Sequence, residues 1–329
     1  MDNPPPSPIA GQDYPQTWGQ FLDWFATEEA CHRYLQQLRW PTGFCCPQCA
    51  TLAQHYALSR GRLMCRNCRY QGTVTAGTIF DKTRTPLRVW LAAAWYLTNQ
   101  KHGVSALGLQ RVLGLNSYQT AWTMLHRLRR AMVRPGREAL SGTVEVDETY
   151  LGISDRHNPP SKANRKSNTT KTLVAIAVEI LEPKGFGRIR LRRLSSDSQK
   201  QLLAFIGEAV QPASRIRTDG SSSYRPLVEQ GYEHERRVIA GSDILAHAAM
   251  PAVHRVASLL KRWLLGTHHG AVQPDQLDAY LDEFVFRFNR RNSRSRGLLF
   301  YRLLQQAVLT EPLTYRDIVD QPRLLELTP

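Results

Sequence analysis

Four cysteines near the N-terminus constrain this chain more than any other feature. They form two C-x2-C pairs separated by the fifteen residues 50–64, and they are Cys46, Cys49, Cys65 and Cys68. Two such pairs can present four thiolates at the corners of a tetrahedron, the geometry that Zn²⁺ prefers in closed structural sites. The alternatives, two disulfides or ordinary buried cysteines, suit paired C-x2-C spacing poorly. The spacing therefore predicts a zinc ribbon that folds around structural Zn²⁺, and we expect Cys31 and Cys45, which lie outside the pattern, to be structural.

The net charge of +15 at pH 7 indicates a polyanionic partner. The chain has 329 residues, enough for two or three domains. Its arginines cluster within residues 127–137, 188–193 and 287–296, and they outnumber lysine in all three blocks. Because a guanidinium contacts phosphate through two parallel hydrogen bonds, this bias favours nucleic acid over the alternative of a scattered, solvated positive surface.

The N-terminus and the hydropathy of the chain bear on its compartment. No signal-peptide core follows the first residues, and no apolar run approaches the roughly 20 residues that span a bilayer. We therefore expect a cytoplasmic protein that does not associate with membranes.

Composition and periodicity divide the N-terminal half into three parts. Residues 1–17 are rich in proline and lack periodicity, which predicts a disordered tail. Residues 18–81 hold an N-terminal helix and the zinc ribbon. Residues 85–137 show three helical patterns, at Leu87–Asn99, Ser105–Leu113 and Tyr118–Val133, with a glycine-containing turn before the third. This is the outline of a helix-turn-helix-like DNA-binding unit; the alternative is an ordinary helical bundle that links two domains.

After Gly142 the pattern changes to β. Strands are predicted at 143–150, 172–180, 187–194 and 215–220, and helices at 199–210, 250–265 and 274–289. Three strands, a helix, a fourth strand and further helices describe a mixed α/β sheet. The polar stretch between the first two strands carries Lys162, Arg165 and Lys166, and we expect it to form a loop along DNA.

Two aspartates occupy unusual places in these strands. Asp147 lies inside the first strand and Asp219 ends the fourth, although Asp is depleted in strand interiors. If the two strands are neighbours, both carboxylates can bind Mg²⁺ or Mn²⁺, the cations that prefer hard oxygen ligands and that support phosphoryl transfer. The alternative is structural: Asp219 caps a turn and Asp147 forms a surface salt bridge.

Several motifs resemble those of the ISXO2-like branch of the IS1595 transposases. Residues 144–152, with sequence VEVDETYLG, resemble the family's first-aspartate motif, and Thr218-Asp219-Gly220 followed by Tyr224 resembles the second. Residues 260–270 and 280–291 resemble its C-terminal signature, and the four-cysteine ribbon and residues 121–129 resemble its N-terminal half. The resemblance extends over roughly residues 20–300.

This resemblance implies a multidomain α+β protein with an RNase H-like mixed α/β core at 142–295 and a C-terminal helical segment at 296–329. It implies a DDE-type transposase that binds terminal inverted repeats, acts as a homo-oligomer on double-stranded DNA in the nucleoid, and cleaves and joins DNA with Mg²⁺ or Mn²⁺. Asp147 and Asp219 would be catalytic, with Lys261 as a phosphate contact. The expected DNA contacts are Arg127, Arg129, Arg130, Lys162, Arg165, Lys166, Arg262, Arg290 and Arg291.

The chain departs from the family at the third catalytic position. Leu259 stands where the family places a polar or acidic residue, and leucine cannot bind a metal. At about 100° per residue, Leu259 points some 140° away from His254, which shares one helical face with Ser258 and Lys261. His254 is therefore a candidate third group without being a simple substitute, and Glu283 is expected to be structural. The alternatives are a catalytically impaired or repurposed DNA-binding protein and, less favoured, an RNase H-like repair or RNA nuclease.

Overall fold

A computed structural model describes residues 7–52, 54–153, 170–237 and 249–320. Contacts within the chain divide it into two units. The first holds Met1–Arg134 and Asn292–Gln321, and the second holds Pro135–Arg291 and Pro322–Pro329. No helix in these described ranges is both long enough and apolar enough to cross a bilayer.

The first unit combines helices with one small antiparallel sheet. The sheet has the strand order β1 (His55–Ala57), β2 (Arg62–Cys65) and β3 (Gln71–Thr73). The helices are α1 (Trp18–Trp24), α2 (Glu28–Arg39), α3 (Leu87–Asn99), α4 (Ala106–Leu113), α5 (Tyr118–Arg130), α9 (Arg296–Ala307) and α10 (Tyr315–Asp320).

Helix α9 completes the core of this first unit. The ring of Phe300 lies 5.4 Å from that of Trp95 on α3 and 5.8 Å from that of Phe21 on α1, between ring centroids. All three side chains are buried. The sequence places residues 296–329 in a separate C-terminal segment, whereas α9 returns to the N-terminal unit because its apolar face pairs with the aromatic residues of α1 and α3.

Part of the proline-rich N-terminal stretch is ordered. Residues 9–14 form a turn in which the backbone N–H of Ile9 donates to Asp13 Oδ2 over 2.6 Å. Tyr14 is buried, and its ring lies 5.9 Å from that of Tyr301 on α9. The predicted disordered tail 1–17 therefore does not extend through residues 9–14, because one buried tyrosine anchors the turn.

Helices α3, α4 and α5 begin and end within three residues of the predicted bounds, and α4 and α5 carry their own capping serines. Ser105 caps α4 by accepting from the N–H of Gly108, and Ser117 caps α5 by accepting from the N–H of Gln119. Gly114 ends α4 with a left-handed φ of 61°, a conformation that glycine adopts without strain. A four-residue turn, 114–117, thus joins α4 to α5.

The second unit is built on a five-stranded mixed sheet. Its strand order is β6 (Phe186–Leu194), β5 (Thr170–Ile180), β4 (Thr143–Ile153), β7 (Arg215–Asp219) and β8 (Glu233–Arg237). The strands β4, β5 and β6 pair antiparallel, and β7 pairs parallel with both β4 and β8. Strand β8 was not predicted, because its sequence, EHERR, has no apolar residue and resembles a solvated loop.

Helices cover both faces of this sheet. Helix α6 (Gln199–Ala209) packs on one face, and α7 (Pro251–His268) with α8 (Leu277–Asn289) packs on the other. In β4, Val144 and Val146 belong to the α6 core, whereas Leu151 and Ile153 belong to the α7–α8 core. Even-numbered side chains of β4 therefore face α6 and odd-numbered ones face α7, as the period-2 pleat requires.

Candidate functional site

The four ribbon cysteines converge on one point. Their Sγ atoms all lie within 4.8 Å of one another. The Sγ of Cys46 is 3.5 Å from that of Cys68, and the Sγ of Cys49 is 3.8 Å from that of Cys65. A tetrahedral Zn²⁺ with Zn–S bonds of about 2.3 Å requires Sγ–Sγ separations of about 3.8 Å. The cluster thus fits structural zinc.

Two equivalent backbone turns hold these cysteines. The N–H of Ala50 donates to the carbonyl of Cys46 over 2.9 Å, and the N–H of Arg69 donates to that of Cys65 over 3.1 Å. Both donor residues are left-handed, with φ of 53° and 62°. Each turn places its two cysteine side chains next to each other. The pairing of β1 with β2 brings the two turns together.

The other two cysteines do not join the cluster. Cys31 is buried on α2, and burial raises the pKa of its thiol to about 12. Cys45 is exposed, and its thiol donates to the carbonyl of Ala50 over 3.7 Å. Both fit the structural role expected of them.

Asp147 and Asp219 lie on neighbouring parallel strands in matching register. The pairs between β4 and β7 join Thr143 to Arg215 and Glu145 to Arg217, an offset of seventy-two residues. Continuing this register by two residues brings Asp147 beside Asp219. Both aspartates have odd numbers, so both lie on the α7 side of the sheet, the side opposite to the core that holds Ile216.

The surroundings of Asp147 disfavour a bare negative charge. Burial raises the pKa of the Asp147 carboxyl, and the charge of Asp219 raises it further, while the N–H of Glu148 and the charge of His254 lower it. Asp219 is held by its own turn, since its Oδ1 accepts the N–H of Ser221 over 2.9 Å. Two carboxylates crowded at one sheet position would be relieved by a cation, and hard oxygen ligands suit Mg²⁺ or Mn²⁺.

A third carboxyl group, that of Glu148, lies close to both aspartates. Glu148 accepts a hydrogen bond of 2.6 Å from the hydroxyl of Tyr224, a buried residue of the α6 core. Burial raises the pKa of Glu148 to about 7, the hydrogen bond from Tyr224 lowers it, and the charges of Asp147 and Asp219 raise it. Glu148 and Tyr224 belong to the two aspartate motifs, but only the tertiary structure shows that they contact each other.

Glu145 ties helix α7 to the strand that carries Asp147. This carboxylate is fully buried, and its Oε2 accepts the N–H groups of Ala252 and Val253 over 2.8 and 3.2 Å. Its Oε1 lies 3.3 Å from Nη1 of Arg217. A negative charge at a helix N-terminus is stabilising. The contact also fixes the position of His254 relative to β4, because His254 directly follows Val253 in α7.

Helix α7 presents its polar residues on one side and Leu259 on another. Leu259 packs against the α7–α8 core, while Ser258, Lys261 and Arg262 are exposed and His254 is half-buried. His254 is the α7 residue whose charge acts on Asp147. In the described parts of the chain, the cysteine cluster alone brings three or more potential metal ligands within reach of one ion, so no third ligand joins the two aspartates there.

Several predicted DNA contacts have other partners. Arg129 is only 1% exposed, so its side chain cannot reach DNA, and Arg127 donates from Nη1 to the carbonyl of Ile79 over 3.2 Å. Arg291 bonds to the carbonyls of Gly187 and Phe186 and covers the ring of Phe288. Arg127 and Arg291 thus use their guanidinium groups to hold backbone carbonyls, a role that sequence spacing does not reveal.

The other predicted contacts include two half-buried arginines and three basic residues that the structure does not describe. Arg130 and Arg290 are half-buried, and the guanidinium of Arg290 lies 4.1 Å from the centroid of the Phe286 ring. Lys162, Arg165 and Lys166 lie outside the described residues. Glu283 is buried and its Oε1 lies 2.8 Å from Nε of Arg287, which agrees with the structural role expected for it.

Two families match the chain. Residues 139–289 match the ISXO2-like transposase domain, and residues 26–71 match the transposase zinc-ribbon domain. The transposase-domain match contains β4, β7 and α7, and the ribbon match contains all four cysteines.

Known proteins also resemble this chain. An uncharacterized protein in transposable element ISH50 of Halobacterium salinarum (strain ATCC 700922 / JCM 11081 / NRC-1) is 27% identical over 274 residues, 80% of this chain and 91% of that protein. The crystal structure of the Mos1 strand transfer complex covers 72% of this chain and 79% of its own chain, at 15% identity and a TM-score of 0.26. The Mos1 transposase paired-end complex with left transposon end covers 70% and 78%, at 14% identity and the same TM-score. The chain therefore contains an ISXO2-like transposase domain at residues 139–289, preceded by a transposase zinc-ribbon domain at residues 26–71.

Proposed function

We propose that this protein is a DDE-type transposase that binds the terminal inverted repeats of an IS1595-type insertion sequence and catalyses DNA cleavage and strand transfer. The observation that carries the proposal is the parallel pairing of β4 with β7 at an offset of seventy-two residues, the same offset that separates Asp147 from Asp219. Two carboxylates on one face of a sheet, one of them with a raised pKa, form a site for a divalent cation.

Asp147 and Asp219 would hold Mg²⁺ or Mn²⁺. When bound there, the cation supplies activation of a nucleophilic oxygen and stabilisation of the leaving oxygen in an in-line phosphoryl displacement. The N–H of Ser221 orients the Asp219 carboxylate, and the Glu145 contact holds α7 so that His254 stays beside Asp147. Lys261 and Arg262, both exposed on α7, are placed to contact phosphates of the bound strand.

His254, and not residue 259, is the proposed third group of this site. Leu259 packs against the apolar core. A leucine at this position is therefore explained by packing and does not by itself indicate loss of catalytic activity. His254→Ala should lower cleavage strongly while leaving DNA binding unchanged. Leu259→Asn should destabilise the protein by about 2 kcal/mol, the cost of placing an amide in an apolar core, without raising cleavage per folded molecule. Gain of cleavage in Leu259→Asn would contradict this assignment.

We further propose a helix-turn-helix role for α4 and α5, with the zinc ribbon as a second DNA-binding element, and an RNase H-like character for residues 142–295. The four-residue turn between two capped helices and the basic end of α5 support the first assignment. The mixed sheet with helices on both faces supports the second. We propose that the protein acts as a homo-oligomer on DNA in the nucleoid, which sedimentation of the protein with and without an end duplex would test.

The central test separates chemistry from binding. Asp147→Asn and Asp219→Asn should each abolish cleavage of a duplex that carries the element end, in Mg²⁺ or Mn²⁺, and leave affinity for that duplex unchanged. Titration of Mn²⁺ by electron paramagnetic resonance should show weaker metal binding in both variants. Asp197→Asn is the matched control, because Asp197 is an exposed aspartate of the same unit. Loss of duplex binding in the Asp147 and Asp219 variants would mean that these carboxylates are structural.

A further inference from the structure

The segment around the zinc ribbon carries an unusual charge pattern. Residues 30–80 contain six arginines and no lysine, aspartate or glutamate. Four of these arginines, at positions 60, 62, 66 and 69, lie in or beside the small sheet. With four thiolates, a Zn²⁺ centre contributes two negative charges, which leaves the segment positive. No carboxylate within the segment neutralises its guanidinium groups.

The three-stranded sheet has two different faces. His55, Leu63 and Cys65 lie on the inner face, and the last two pack with Phe44 and Cys46. The opposite face, which we call the outer ribbon face, consists of Tyr56, Arg62, Met64, Arg66 and Gln71. Tyr56 and Gln71 are the strand partners of Met64, so these three side chains share that face. Arg62 shares this face by the alternation of β2, and Arg66, which follows the strand, reaches it through its contact with the ring of Tyr56.

The outer ribbon face is solvent-accessible and holds its arginines in place. Tyr56 is 43% exposed, and the guanidinium of Arg66 lies 4.5 Å from the centroid of its ring while also donating to Gln54. Arg62 donates from Nη1 to Oε1 of Gln71 over 3.5 Å. These partners are neutral, so they restrict both guanidinium groups without neutralising them. Lower rotamer freedom reduces the entropy lost when a ligand binds.

We propose that the outer ribbon face is a binding surface for the phosphate backbone of duplex DNA, with Arg62 and Arg66 as its main contacts. Arg62 begins β2 and Arg66 directly follows its last residue, Cys65; four residues of extended chain span about 13 Å, so the two side chains can reach different phosphates. Guanidinium groups form bidentate bonds with phosphate. The inference rests on the proposed function, which makes DNA the substrate and the ribbon a DNA-binding element; it adds which face of the ribbon and which side chains contact the DNA.

The test measures affinity of the full-length, zinc-loaded protein for a fluorescently labelled mixed-sequence duplex at several salt concentrations. Arg66→Ala and Arg62→Ala should each weaken binding about tenfold, the loss expected for one charge-assisted hydrogen bond. Each should also reduce the slope of log affinity against log salt by about 0.9, which is one released counterion. Arg66→Lys should keep the salt slope and lose part of the affinity, because an ammonium group has no planar fork.

Arg33→Ala is the matched control. Arg33 is exposed on α2 within the same acid-free segment but does not lie on the sheet, so this variant should bind like the unaltered protein. Zinc content is measured for every variant to confirm that the ribbon is folded. Equal affinity and equal salt slope for the Arg62, Arg66 and Arg33 variants would overturn the proposed surface. Cleavage that survives in Asp147→Asn and Asp219→Asn would refute the proposed catalytic site and leave this surface unaffected.

Discussion

Glu145 and Arg217 form an ion pair across β4 and β7, with Oε1 and Nη1 3.3 Å apart, two residues before Asp147 and Asp219 in the respective strands. The pair lies on the same face of the sheet as the two aspartates. Because the other oxygen of Glu145 accepts from Ala252 and Val253 at the start of α7, one carboxylate connects both aspartate strands to the helix that carries His254.

Removal of the Glu145 carboxylate should therefore be costly. Glu145→Ala leaves Arg217 and two helix N–H groups without this partner, and we expect a loss of about 3 kcal/mol in the free energy of unfolding, measured with urea. Glu233→Ala is the control: it breaks the Arg215–Glu233 pair of the neighbouring strands, whose side chains are 50% and 63% exposed, and should cost less than about 1 kcal/mol. Equal effects of the two substitutions would show that Glu145 does not anchor α7.

Stability at acidic pH should depend on Glu179. Burial raises the pKa of this carboxyl, but hydrogen bonds from Arg188 and from the N–H of Ser141 outweigh burial and hold it below its ordinary value of 4.5. A lowered pKa in the folded state means that this contribution to stability is present above the unfolded pKa and is lost as pH falls through the folded pKa.

Glu179→Gln should accordingly cost about 1–2 kcal/mol at neutral pH and flatten the acid limb of the profile of unfolding free energy against pH. Glu229→Gln, at an exposed position of the same unit, should leave the profile unchanged. An acid limb of the same steepness in Glu179→Gln would show that other carboxylates cause the acid sensitivity.

Zinc should stabilise the ribbon specifically. Chelation, or Cys65→Ser, should remove stabilisation on the order of 10 kcal/mol from the ribbon, because few apolar side chains, among them Phe44 and Leu63, pack beside the cysteines. Hydrogen exchange should show loss of amide protection in residues 44–73 and none in β4–β6. Retained protection of β1 and β2 after chelation would mean that the ribbon folds without metal. Cys45→Ser is the control, since Cys45 is not in the cluster.

Gly297 should tolerate no side chain. A Cβ at this position of α9 would lie 2.0 Å from the carbonyl oxygen of Pro15 and 2.7 Å from Cδ2 of Tyr14, so Gly297→Ala should destabilise the first unit by about 2 kcal/mol. Gly207→Ala is the matched helical control, because nothing lies within 4 Å of its Cβ, and it should stabilise α6 by up to about 1 kcal/mol. Thermal melting compares the two, and an unchanged midpoint in Gly297→Ala would contradict the close approach of the N-terminal turn.

Local sequence signals were sufficient to predict the elements whose ends or ligands are marked by nearby residues. The C-x2-C spacing predicted the metal cluster, because two cysteines on one tight turn define half of a tetrahedral site. Helical periodicity and the glycine-containing turn predicted the bounds of α4 and α5 to within three residues. Strand β8 was missed because it contains no apolar residue. Its backbone pairing with β7 places it in the sheet.

Only the tertiary structure decided which distant groups meet. Asp147 and Asp219 are seventy-two residues apart in the chain, and β4 and β7 pair with that same offset. The sequence alone does not reveal this pairing. Burial of Arg129, the clamp formed by Arg291 and the inward packing of Leu259 likewise depend on which face of an element its neighbours cover. A sequence encodes periodicity, caps and ligand spacing locally, whereas strand order and the direction of long side chains arise from packing between segments that are far apart in the chain.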